Sequence, residues 1–309
     1  MQIAEGLLGA DERAMLRLRQ LYADSGYRRF RMSKFEHYDL YAQNRDVLVS
    51  DRVLTFTDAG GGLKALRPDV TLSIVKAYRD GQTERLQYNE TIYRPDAADG
   101  EFREIMQSGV ELLGSVGTRE VCEVLVLAAR SLQALGAGYM LTISHMGLLR
   151  GALARATADT GLRQELVALT GSKNAGGLVA LCAARGIPQD AQERLMLLVQ
   201  LSGAPGTVLP ELRGAGFAGE DIEALDEACE ALKAAGFEQH VRLDFSIGTD
   251  AAYYGGIVFR GYLAGLPHSV LSGGRYDPLL RRFGKSSGAV GFAVYLDQLE
   301  RLANGGTTC

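Results

Sequence analysis

The amino-acid sequence predicts an α+β fold in which a sheet is begun, interrupted by a long helical segment and then resumed. An apolar–polar alternation through Leu86, Tyr88, Thr91 and Tyr93 runs into a loop holding Pro95, Asp96, Asp99 and Gly100 and returns as a second strand, which reads as a hairpin. From Leu148 to about Gly236 strand patterns vanish, Ala, Leu, Arg and Glu dominate, and breaks fall at Gly186-Ile187-Pro188 and Gly203-Ala204-Pro205-Gly206. Strand patterns resume at Val241. The division expected is therefore a core in two parts, 1–147 and 237–309, around a mainly helical insert, 148–236.

Taken in order, Asp11–Tyr22 carries Leu16, Leu18 and Leu21 on a helical frame behind an acidic first turn, an amphipathic helix that Gly26 ends. Phe30–Tyr41 alternates and turns. Val53–Phe56 is a short apolar strand, and the glycines of Asp58-Ala59-Gly60-Gly61-Gly62 permit positive φ. That glycine run lacks the following Lys-Ser/Thr of a phosphate loop and reads as a hairpin tip. Leu66–Thr71 leads into a helix, Leu72–Tyr78, with Asp69 and Thr71 at its entrance, where a carboxylate and a hydroxyl ordinarily cap.

On the return strand of the hairpin, Arg103, Ile105, Gln107, Gly109 and Glu111 share one face under the period of two. An edge strand with solvated polar residues accounts for this as readily as a site does. Thr118–Leu135 is a strongly apolar helix closed by Gly136 and Gly138, and Met140–Ser144 is a buried-type strand. The helix Asp221–Ala235 closes the insert. Val241–Phe245, Tyr253–Tyr262 and Ser269–Leu271 then rebuild the sheet, and a glycine-spaced strand from Gly288 runs into a last helix. Gly273 and Gly274 before Arg275 and Asp277 let the backbone approach a ligand closely, or form a turn held by an Arg–Asp pair.

With 47% hydrophobic and 23% charged residues in 309, the chain is ordinary globular material. No window approaches the roughly 18 uninterrupted apolar residues of a membrane span. The N-terminus lacks a basic region followed by an apolar core, so it does not read as a signal peptide and a cytoplasmic location is the expectation. Cys122, Cys182, Cys229 and Cys309 are scattered without a C-x-x-C pair and are expected to be reduced thiols. With only four His and no Cys/His cluster, no metal is expected. A net charge of −4 gives no global attraction to a polyanion.

The run Arg103-Glu104-x-x-Gln107-x-x-x-Glu111-x-x-Gly114 resembles motif 2 of the histidyl-tRNA synthetase group of class II synthetases. Leu66-Arg67-Pro68-Asp69-Val70-Thr71 is similar to that group's LRPEGT segment. Tyr253-Tyr254-Gly255-Gly256 and Ser272-Gly273-Gly274-Arg275-Tyr276-Asp277 resemble its two histidine-specific motifs, and Gly288–Arg301 resembles motif 3. Order and spacing agree across nearly the whole chain. The resemblance implies a class II aminoacyl-tRNA synthetase-like antiparallel sheet flanked by helices, and a dimer formed through motif 1 near Phe30–Tyr41, where Ser33 replaces the usual proline. It also implies a histidine pocket. Asp69, Thr71 and Gln107 would hold the ammonium, Glu111 and Tyr254 the imidazole with Tyr253 beside them, and Arg94, Arg103 and Arg275 are candidate anion or pocket contacts.

The departures from a synthetase point elsewhere. Adenylation relies on fixed cations that stabilise developing negative charge. The arginine that ends motif 3 in the family is Gln298 here, and the arginine before the paired tyrosines falls at Thr249. Losing one such group typically costs at least about 100-fold. The C-terminal anticodon-binding domain of such a synthetase has no counterpart in the sequence. The subset of the family with this profile comprises the histidyl-tRNA synthetase-like regulatory subunits of ATP phosphoribosyltransferase. Membership implies no catalytic residues, no cofactor, a hetero-octamer with the short-form catalytic subunit, a self-dimer, histidine as effector, and neither tRNA nor membrane as partner. The alternative is a stand-alone amino-acid-activating paralogue with Arg94 and Arg103 on ATP phosphates, and a third reading is an interaction protein with a vestigial pocket.

Overall fold

Among the described residues nine strands form one sheet, whose floor-like front face and helix-covered back face organise everything else. The computed structural model describes residues 8–48, 52–96, 99–136, 138–247 and 253–299. The first part runs α1 (Ala10–Asp24), β1 (Arg28–Arg29), β2 (Phe35–His37), α2 (Tyr38–Ala42), β3 (Thr55–Thr57), β4 (Leu63–Leu66), α3 (Thr71–Ala77), β5 (Glu84–Pro95), β6 (Phe102–Gly114), α4 (Thr118–Leu135) and β7 (Tyr139–His145). The helical segment follows with α5 (Met146–Ala156), α6 (Thr160–Gly171), α7 (Ala175–Arg185), α8 (Gln189–Gln200), β8 (Ser202–Gly203), α9 (Pro205–Gly214) and α10 (Glu220–Ala234). The last part is β9 (Val241–Asp244), β10 (Ile257–Leu263), β11 (Leu271–Arg275), α11 (Asp277–Arg282) and β12 (Gly288–Tyr295). Among the described residues no helix is long and apolar enough to cross a membrane.

The large sheet has the order β1-β5-β6-β12-β11-β10-β7-β9-β8. Its neighbours pair antiparallel, as expected, except for β1 with β5 and β7 with β9, which are parallel. A parallel pair needs a long crossover, and α5–α10 supply it between β7 and β9. The segment is not purely helical, because the two-residue β8 pairs with β9 at the sheet edge. A small sheet, β2-β4-β3, stands apart, with Asp58 at its hairpin tip accepting hydrogen bonds from the Gly60 and Gly62 amides.

One core lies behind the sheet, where α1 and α4 cover β6, β10 and β12 and the helices α5–α10 join the same apolar cluster. On α1 the stripe that packs is Ala14, Leu18 and Tyr22, a strict i, i+4, i+8 row. Leu16, expected on the apolar face, is 39% exposed, because it lies off that row. A second core in front gathers Tyr41, Ile74, Leu86, Tyr88 and Tyr276 under α2, α3 and α11. Gly273, Gly274 and Arg275 lie inside β11 rather than in a turn, paired with Phe292, Gly291 and Val290 of β12.

Candidate functional site

A cavity of about 700 Å3 opens over the front face of the sheet. Paired residues on neighbouring strands share a face, so two cross-strand rows underlie it: Val258, Gly274, Gly291 and Glu111, then Arg260, Ser272, Ala293 and Gly109. At three of its glycines a Cβ would meet both a large side chain and a cross-strand carbonyl. A Cβ on Gly291 would overlap the Glu111 carboxylate and lie 2.5 Å from the Val110 carbonyl. One on Gly274 would come within 2.7 Å of the Tyr254 ring, and one on Gly109 within 2.5 Å of the Tyr88 phenol.

Glu111 stands at the centre and is only 2% exposed. Thr71 donates its hydroxyl to Oε1 at 2.8 Å, and Tyr276 donates its phenol to Oε2 at 2.5 Å. Burial nonetheless dominates and pushes the Glu111 carboxyl up to about 8, against the lowering effect of the two hydroxyls. With its carboxyl at about 8, Glu111 is mostly protonated at pH 7. Thr71 is the first residue of α3 but does not cap it. Its hydroxyl is turned to Glu111, while Asp69 caps the helix by accepting from the Leu72 amide at 2.8 Å.

Asp69 also lines the cavity, and its other oxygen accepts from Arg94 Nη2 at 3.3 Å. Arg94 donates to the Pro68 carbonyl at 2.6 Å as well. The whole segment hangs on Arg67, a fully buried guanidinium that pairs with Glu90 at 2.9 Å and donates to the carbonyls of Ser33 and Thr91. Gln107 is buried on the same face as Glu111 and lines the cavity. Tyr253 and Tyr254 close the opposite side, their rings edge to face at 4.7 Å, with Tyr276 5.9 Å from Tyr253. Burial raises the phenols of Tyr253 and Tyr276 well above the ordinary range, so both stay protonated donors.

The structure thus gathers Asp69, Thr71, Gln107, Glu111, Tyr253, Tyr254 and Arg94 around one cavity. Two of the arginines are elsewhere. Arg103 has a half-exposed side chain beyond the cavity mouth, paired with Asp99 at 2.5 Å and Asp96 at 3.8 Å. Arg275 follows Gly274 in the strand, so alternation turns it to the opposite face, where it pairs with Asp277 at 2.9 Å. Gln298, at the end of the motif 3 stretch, donates its amide to Asp297 at 2.9 Å. Thr249 lies outside the described residues. Tyr276, Tyr88 and Arg260 also line the cavity, and motif reading gave none of them a role. The alternation that excludes Arg275 was available in the sequence as a signal for Tyr276.

Comparison with known proteins agrees with this geometry. The family model described as histidyl-tRNA synthetase matches residues 8–299. An ATP phosphoribosyltransferase regulatory subunit from Alkaliphilus metalliredigens is 30% identical over 297 residues, covering 92% of this chain and 74% of the relative. A crystal structure from Bacillus halodurans, described as an ATP phosphoribosyltransferase regulatory subunit/histidyl-tRNA synthetase, superposes with a TM-score of 0.83 at 26% identity, covering 94% of this chain and 78% of the other. A chain of an ATP phosphoribosyl transferase complex from Thermotoga maritima shares the fold, with a TM-score of 0.73 at 18% identity over 93% of this chain and 97% of that one. The match over nearly its whole length, on a sheet that carries the motif residues into one cavity, means that the chain belongs to the histidyl-tRNA synthetase-like family and, within it, to the ATP phosphoribosyltransferase regulatory subunits.

Proposed function

We propose that this chain activates the short-form catalytic subunit of ATP phosphoribosyltransferase and confers feedback inhibition by histidine, which binds in the cavity above Glu111. The observation that carries the reading is the buried Glu111 between Thr71 and Tyr276, an acid set to meet a basic ring nitrogen. In the pose it supports, the imidazole lies between Glu111 and Tyr254. The ammonium meets Asp69, Gln107 and the Thr71 hydroxyl oxygen, and of the two arginines that line the cavity, Arg94 and Arg260, Arg94 beside Asp69 is the one assigned to the carboxylate. A ligand without the ring nitrogens leaves these buried groups unpaired, which is the basis of discrimination.

Aminoacylation is not part of the proposal. Gln298 offers no charge at the motif 3 position, and Arg103, one of the two cations an adenylating enzyme would use, is spent on two surface carboxylates. The self-dimer forms through the small sheet, where Phe35, Phe56 and Leu63 are 47%, 39% and 48% exposed and the two Phe rings meet edge to face. Dimers assemble with the catalytic subunit into a cytoplasmic hetero-octamer, without tRNA. Histidine inhibits because it binds the inhibited assembly more tightly than the active one. Calorimetry of the chain with histidine, beside an assay of histidine-dependent pyrophosphate exchange into ATP, tests the reading. Binding without exchange is expected, whereas exchange would replace the regulator with the adenylating alternative.

A further inference from the structure

The cavity wall that carries Tyr254 continues into Gly255 and Gly256, two residues with no side chain to anchor the backbone. Its backbone is held by neighbours instead: the Gly255 amide donates to the Arg275 carbonyl at 2.8 Å, and the first helix of the helical segment holds the carbonyls from behind. Arg150 of α5 donates through Nη1 to the Tyr254 carbonyl at 3.3 Å and through Nη2 to the Gly255 carbonyl. The Met146 amide at the start of the same helix donates to the Gly256 carbonyl at 2.9 Å. Three consecutive carbonyls of the wall are therefore held by one helix. Helix α5 is itself held by α10: the Asp221 carboxylate fills the space a Cβ on Gly147 would take and lies 3.5 Å from His145 Nδ1. His145, Arg150, Asp221, Gly255 and Gly256 line a cleft of about 640 Å3, separate from the Glu111 cavity.

We infer that Arg150 is a positioning residue for the ligand: by fixing the Tyr254 and Gly255 carbonyls it holds the Tyr254 ring over the imidazole position. The inference rests on the reading of the Glu111 cavity as the histidine site. It gives the helical segment a role that the motifs do not touch, since a shift of α5 against the sheet changes the wall of the cavity. Without the guanidinium, the Tyr254 and Gly255 carbonyls lose their partner, the wall keeps only the Gly255 amide and Gly256 carbonyl bonds, and the ligand must bear part of the ordering cost on binding.

The test uses the full chain as wild type, Arg150→Gln, Arg150→Lys and Glu111→Gln, titrated with histidine by calorimetry. Loss of charged hydrogen bonds in an open cleft is expected to weaken histidine about 10-fold in R150Q, with R150K recovering part of that loss. The thermal midpoint of the free chain should hardly move. With 3-fluorotyrosine incorporated, the fluorine resonance of Tyr254, assigned by Tyr254→Phe, should broaden in free R150Q and sharpen at saturation. Wild-type affinity and a sharp Tyr254 line in R150Q, with histidine binding weakened in E111Q, would overturn the positioning role and leave the cavity reading standing. Wild-type affinity in both R150Q and E111Q would remove the cavity reading and this inference together.

Discussion

Histidine affinity should pass through a plateau in pH whose alkaline edge belongs to Glu111. The carboxyl sits at about 8 because it is buried, against 4.5 for the free side chain. A free imidazole titrates near ~6.5. The complex needs one proton between carboxyl and ring. From about pH 6.5 to 8 that proton is already present, on Glu111, and binding neither takes up nor releases one. Above pH 8 the free site has lost it, so binding must take one up and affinity falls about tenfold per pH unit. Below about 6.5 both partners are protonated and binding releases one, so affinity falls on that side as well. Calorimetry in buffers of differing ionisation enthalpy reads both the affinity and the proton count. Glu111→Gln should bind more weakly and lose the alkaline edge at 8. An affinity that does not change from pH 7 to 9, or an alkaline edge that survives in E111Q, would refute the reasoning. The same group acts on the free chain with a definite sign. Folded protein holds a proton that the unfolded chain releases above about 4.5, so stability declines as pH rises to about 8. At about 1.4 kcal/mol per unit, the whole window is worth on the order of 5 kcal/mol, and E111Q should flatten it.

Gly291→Ala should abolish histidine binding at millimolar ligand and destabilise the chain by roughly 1–3 kcal/mol, because its Cβ falls on the Glu111 carboxylate. Calorimetry and thermal melting check both effects, and wild-type binding would mean that Glu111 is not at the ligand. Phe56→Asp, on the exposed small sheet, should convert the dimer to monomer in sedimentation velocity while costing the protomer no more than about 1.5 kcal/mol from the lost Phe35 ring contact. A dimer that persists would move the interface elsewhere.

Much of the site was legible because it lies on strands. The period of two put Gln107, Gly109 and Glu111 on one face, and the structure keeps them there. The same regularity overreached at Arg103, since a shared face does not say where a cavity ends. At β11 alternation separates Arg275, a candidate anion or pocket contact, from the cavity: Gly274 occupies that face and Tyr276 reaches Glu111. Thr71 had an ordinary local explanation as a cap. Only the contact with Glu111, 40 residues away, decides against it. Partner choice in the sheet is also nonlocal: β8 has two residues and no pattern of its own, and the parallel pairs depend on crossovers whose direction no single segment encodes. The raised carboxyl of Glu111 is further still from the sequence, because it reflects the burial of the assembled site.

The most direct test of the central claim is histidine inhibition of ATP phosphoribosyl transfer by the complex reconstituted from this chain and a short-form catalytic subunit, with wild type and E111Q compared. The account predicts activation of the catalytic subunit by both, and inhibition by histidine in the wild-type complex alone. Equal inhibition of the two complexes would contradict it, since histidine would then act at a site other than the Glu111 cavity.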